Sequence, residues 1–108
     1  MADRTAVTFD EYGFVTEPGQ WNREVAQGIA ESLGVGDLQA EHWRVLEHLR
    51  AHYLEHGAML PMEEVCYALK LGKQCVRRLF RGPEEAWKIA GLPDPGIEAR
   101  TYMRNEEP

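Results

Sequence analysis

No stretch of this chain stays apolar for the roughly 18 residues that a membrane-crossing helix needs, and no basic segment followed by an apolar signal-peptide core is present. The expectation is a soluble, cytoplasmic protein with no membrane partner. Cysteine is scarce, with only Cys66 and Cys75. Their spacing fits neither Cys-x-x-Cys nor a zinc pattern, so in a reducing compartment they read as free thiols rather than a bridge. The chain also lacks a glycine-rich phosphate loop, a Ser-His-Asp arrangement, and any carboxylate pair whose spacing alone marks acid–base chemistry. The residues by themselves therefore predict no cofactor, no metal and no enzymatic activity.

What is present suits one small domain. A chain of 108 residues buries roughly two thirds of its unfolded surface, enough for a core without staples. The net charge of −6 excludes indiscriminate nucleic-acid binding, but the charge is uneven. Between Lys70 and Lys88 stand six basic residues and two acidic ones, so that segment carries +4 and the remainder −10. A local basic surface on an acidic protein points to one selective anionic contact, and the plainer reading is a solvated helix face.

Along the chain, Val7 and Phe9 alternate with Thr8 and Asp10, a turn falls near Tyr12-Gly13, and Phe14-Val15 resume, which predicts a short N-terminal β-hairpin. Asn22 as N-cap, Val25, Ile29 and Leu33 at four-residue steps, and Gly34 as the stop predict a first helix over about 22–33. A second and longest helix, over 40–56, follows from Trp43, Leu46, Leu49 and Tyr53, with Gly57 ending it. It is the expected centre of the bundle. A third opens with Pro61 at its first position and ends near Leu71-Gly72, a short fourth covers 73–80, and Pro83 opens a fifth that stops at Gly91. Beyond Gly91, Pro93 and Pro95 favour extended chain. Residues 1–91 thus form the domain and 92–108 a flexible, extended arm, mobile unless Tyr102 or Met103 docks.

Three constellations bear on function. The third and fourth helices have the layout of a helix-turn-helix whose second helix is basic, so Arg77 and Arg78 are candidates for reaching bases or phosphates. Two helices meeting at a tight turn are also ordinary packing. His48, His52 and His56 share a helix face at the spacing of helical metal ligands, but three imidazoles in one line cannot surround an ion. A half-exposed polar face is the better reading, and His42 reads as a local packing or hydrogen-bonding residue. Cys75, at a helix start beside Lys73, Arg77 and Arg78, is the candidate reactive thiol.

The run of "GFV", Trp21, "EHW" opening the second helix, "YLEHG", "RRLFRGP" and "KIAGLPDPG" resembles the DsrC/TusE family of sulfur-relay proteins, from about Val7 to Pro95. The resemblance implies an orthogonal bundle of about five helices with an N-terminal hairpin, a helix-turn-helix-like pair and a mobile arm. In that family the arm carries a persulfide-accepting cysteine, and one subgroup has a second cysteine eleven residues earlier. Glu98 and Trp87 stand at those positions here. The lysine of the family's "LPKP" is Asp94. The resemblance therefore implies a sulfur-relay scaffold that acts by binding or regulation, with a protein partner of a sulfur-transfer or sulfite-reductase-type complex. Its contact surface is Lys73, Arg77, Arg78 and Arg81, with the arm as a second contact. The alternatives are a helix-turn-helix DNA-binding regulator and a sulfur carrier that uses Cys75.

Overall fold

The computed structural model describes residues 7–59 and 61–105. Among them stand six α-helices: α1 (Arg23–Ser32), α2 (Ala40–His56), α3 (Met62–Leu69), α4 (Cys75–Phe80), α5 (Pro83–Ile89) and α6 (Ile97–Asn105), with a single 3-10 turn at Pro18–Gln20 before α1. No described helix is long and apolar enough to cross a membrane.

Local chemistry starts each helix where the sequence places it. The Asn22 side chain accepts the Val25 amide at 2.8 Å, satisfying one of the donors left open at the start of α1. At α2 the Gln39 amide donates to Nδ1 of His42 at 2.9 Å. Because Nδ1 accepts, the proton sits on Nε2, which donates to the Leu79 carbonyl at 2.9 Å and links α2 to the end of α4. His42 is buried edge-on to Phe80, 5.1 Å between ring centres, which makes it the packing and hydrogen-bonding residue expected.

The core gathers Val25 and Ile29 of α1, Val45, Leu46 and Leu49 of α2, Val65 of α3, Phe80 of α4, and Trp87 and Ile89 of α5, with Phe14 from the N-terminal loop. The short α5 lies at the middle as much as α2 does, packing against α1, α2, α4 and α6.

Two expectations need correction. The predicted N-terminal hairpin does not form, and among the described residues there is no strand. Phe9 and Val15 make one isolated antiparallel bridge. The Asp10 carboxylate accepts the amides of Tyr12 at 2.9 Å and Phe14 at 3.0 Å, so the Phe14 donor that a second rung would use is taken. Phe14 and Val15, adjacent in sequence, are both fully buried, so the two-residue alternation of a strand is broken there.

The segment after Gly91, expected to be an extended arm, instead contains α6. Leu92 is fully buried, the Trp87 indole donates to the Pro93 carbonyl at 2.7 Å, and Met103 docks at 2 % exposure. Asp94 accepts the Gly96 amide at 2.9 Å just before the helix starts and lies 3.0 Å from Arg100. Arg100 in turn lies 4.1 Å over the Tyr12 ring, which ties α6 to the N-terminal loop.

Candidate functional site

The link between α3 and α4 is built from unusual backbone. Lys70 (φ 59°), Gln74 (φ 61°) and Arg81 (φ 80°) all adopt the left-handed conformation, and Gln74 and Arg81 flank α4 on either side. Side-chain-bearing residues there cost about 1 kcal/mol or more each, and such strain collects at binding sites. The sharp reversal returns the start of α4 onto α3 and brings Cys75 within 5.6 Å of Cys66, Cα to Cα.

The two cysteines are joined as a disulfide, which corrects the reading of them as free thiols. Spacing along the chain could not show this, because the approach depends on the left-handed turns between them. Cys75 is therefore not the free reactive thiol expected, and it is fully buried. Its amide donates to Sγ of Cys66 at 3.1 Å.

Beside the disulfide runs a groove of about 900 Å³. Met62, Cys66 and Tyr67 of α3, Lys70 and Lys73 of the turn, and Arg77 of α4 line it. Tyr67 is 86 % exposed on its rim. Of the four predicted contact residues, the structure brings Lys73 and Arg77 together at this groove. Arg78 turns instead toward α2, 3.3 Å from Glu41, and donates to the Leu71 carbonyl at 2.9 Å. Arg81 reaches toward Gly34, where an added Cβ would meet its guanidinium at 3.3 Å. Lys70 joins the groove cations although sequence reasoning left it out of the contact set. The Lys70–Lys88 charge tally was its only signal.

The two positions where the family resemblance would put cysteines are separated by environment. Trp87 is buried in the core, edge-on to Tyr53 with 5.8 Å between ring centres, whereas Glu98 is exposed in the first turn of α6. Nearby, Glu84 lies 3.3 Å from Lys88 and 3.1 Å from Arg104. Burial pushes the Glu84 carboxyl up, but the Arg104 hydrogen bond and the Lys88 and Arg104 charges outweigh it and hold it below the ordinary carboxylate value. Glu84 correspondingly raises the pKa of Arg104.

His52 and His56 stack at 4.6 Å between ring centres. Among the described residues no group of three His, Cys, Asp or Glu could hold a metal ion.

A family model described as "DsrC like protein" matches residues 1–97, and the chain belongs to that family. It is 36 % identical over 98 residues to the Sulfurtransferase TusE of Salmonella choleraesuis (strain SC-B67), covering 82 % of this chain and 89 % of that protein. To the Sulfurtransferase TusE of Escherichia coli (strain K12) it is 37 % identical over 95 residues, covering 80 % and 86 %. Among solved structures it resembles the oxidized gamma-subunit of the dissimilatory sulfite reductase (DsrC) from Archaeoglobus fulgidus, with a TM-score of 0.74, 29 % identity, and coverage of 84 % and 90 %. It also resembles a chain of dissimilatory sulfite reductase I (DsrI), with a TM-score of 0.76, 27 % identity, and coverage of 84 % and 89 %.

The chain is thus a DsrC/TusE-like protein of the sulfur relay. The expectation that it is not an enzyme is corrected by the TusE relatives, which are named sulfurtransferases. The helix-turn-helix reading loses ground for a geometric reason. The six-residue α4 is disulfide-bonded to α3 at its first residue, and Arg78 is turned back onto Glu41 and Leu71.

Proposed function

We propose that this chain serves the sulfur relay by docking, through the basic surface around α4, onto an acidic face of a protein in a sulfur-transfer or sulfite-reductase-type assembly. Lys73 and Arg77 make the contact at the groove, and Arg78 and Arg81 extend it along the neighbouring edge. The body up to Gly91 forms the main interface, and the segment from Leu92 to Arg104 supplies a second contact. One observation carries this reading: four exposed cations cluster around a six-residue helix on a chain of net charge −6, with left-handed backbone at both of its ends. The resemblance to a protein named as a subunit of sulfite reductase supports a protein partner.

Double charge reversal, Arg77→Glu with Arg78→Glu, should abolish capture of the purified partner in a pull-down at low salt. Capture at the wild-type level would reject the surface. Ile97→Asp, at an exposed position of α6, tests the second contact separately: binding should weaken without being lost.

A further inference from the structure

The disulfide has no place in the docking reading, yet it adjoins the groove whose cations that reading uses. Both cysteines are buried, Cys66 at 3 % exposure and Cys75 at 0 %, but of the two only Cys66 lines the groove. The Cys75 amide donates to Sγ of Cys66 at 3.1 Å and would stabilise that sulfur as a thiolate once the bond is opened. Among the described residues, the cations Lys70, Lys73 and Arg77 and the carboxylate Glu63 line the groove. Its volume falls within the usual range for small-ligand sites, on the order of 300–1,000 Å³.

We propose that Cys66–Cys75 is a thiol–disulfide exchange site whose groove selects an anionic, low-molecular-weight thiol bearing carboxylates. The thiol ionises, giving its proton to solvent, and the thiolate attacks Sγ of Cys66 from the groove side. A bond forms between the incoming sulfur and Cys66, the Cys66–Cys75 bond breaks, and Cys75 departs with the electron pair and takes up a proton. A second thiolate attacks the mixed disulfide at the incoming sulfur, which releases the oxidised small molecule and leaves Cys66 and Cys75 as thiols. The protein disulfide is reduced as two small thiols are oxidised, so the balance closes without another oxidant. The cations hold the carboxylates and raise the local concentration of thiolate. This site does not depend on the docking of a partner protein.

The test uses the full oxidised chain with mercaptoacetate, glutathione and the cationic thiol cysteamine, following the mixed disulfide by intact-mass spectrometry and correcting each rate for its own thiolate fraction. At low salt the two anionic thiols should react about tenfold faster than cysteamine, and the gap should close as salt screens the groove. Lys73→Glu, and separately Lys70→Asn, which keeps a residue that tolerates left-handed backbone, should each narrow the gap. Peptide mapping should place the adduct on Cys66, and with glutathione disulfide as the probe Cys75→Ser should accumulate it while Cys66→Ser does not. Equal rates for the anionic and cationic thiols, an adduct on Cys75, or reaction only in denaturant would overturn the proposal.

Discussion

Arg50 lies 4.3 Å under the Trp21 ring and donates to the Ala90 carbonyl at 3.0 Å and the Pro18 carbonyl at 3.1 Å. One guanidinium thereby fastens the N-terminal loop and the end of α5 to α2, and burial lowers its pKa from the ordinary arginine value. Arg50→Met keeps much of the stem but leaves both carbonyls short of a donor. It should cost about 2–4 kcal/mol, read from urea unfolding. Close by, Trp21 donates to the Ile89 carbonyl at 2.8 Å and presses on Gly91. Gly91 has φ 71°, and a Cβ there would overlap the indole, lying 2.6 Å from Cγ of Trp21. Gly91→Ala therefore combines backbone strain with a clash against a ring that cannot easily move. A loss of roughly 2–4 kcal/mol is expected, and a melting temperature within a degree or two of wild type would contradict it.

At the scale of elements, the α3–α4 unit depends on its cross-link. A disulfide that closes a loop of nine residues restricts the unfolded chain by roughly 2–3 kcal/mol, so reductant should lower stability by about that amount. Cys66→Ala with Cys75→Ala should then show no further loss in reductant. For α6, the Glu84 carboxylate sets the pH response. Its folded pKa is depressed, so its contribution is full above the ordinary carboxylate range and fades as pH falls through the folded value. The protection factors of α6 amides, which correct for the slower intrinsic exchange in acid, should therefore fall as pH falls while those of α2 hold, and Glu84→Gln should remove that dependence. Protection factors in α6 that stay the same at neutral and acid pH would refute the assignment.

How far these elements were legible follows from where their signals lie. Helices α1 and α2 were readable because Asn22 caps one and apolar residues recur every three or four positions in both. Pro83 and Gly91 bracketed α5 in the same way. α6 was not, since it buries Met103 and leaves Ile97 71 % exposed, giving almost no apolar stripe. Asp94 accepts the Gly96 amide just ahead of it, a local contact, but its docking rests on Arg100 over Tyr12 and Arg104 beside Glu84, which join residues far apart in the chain. The disulfide was hidden for a related reason: the turns at Lys70 and Gln74 are left-handed at residues whose types do not announce it. Of the four cations proposed as contacts, the division of Lys73 and Arg77 to the groove, Arg78 to Glu41 and Arg81 toward Gly34 came only with the helix orientation.

On the scale of the whole molecule, a chain of net charge −6 exposes Lys73, Arg77, Arg78 and Arg81 around α4. Association with an acidic partner face should be fastest at low ionic strength and slow markedly once the screening length falls from about 10 Å at 0.1 M salt to about 3 Å at 1 M. Stopped-flow association rates would check it, and rates indifferent to salt would count against an electrostatic interface.

The Trp87 bond to Pro93 also fixes where the C-terminal segment can pivot. Because that carbonyl is gripped by the core, any swing must start beyond Pro93. Residues 94–105, drawn out straight, form a leash of at most about 40 Å, whereas an intact α6 of nine residues is a rod about 14 Å long. The tip thus sweeps a small cap over the neighbouring surface if the helix holds, and a radius comparable to the width of the domain if it melts.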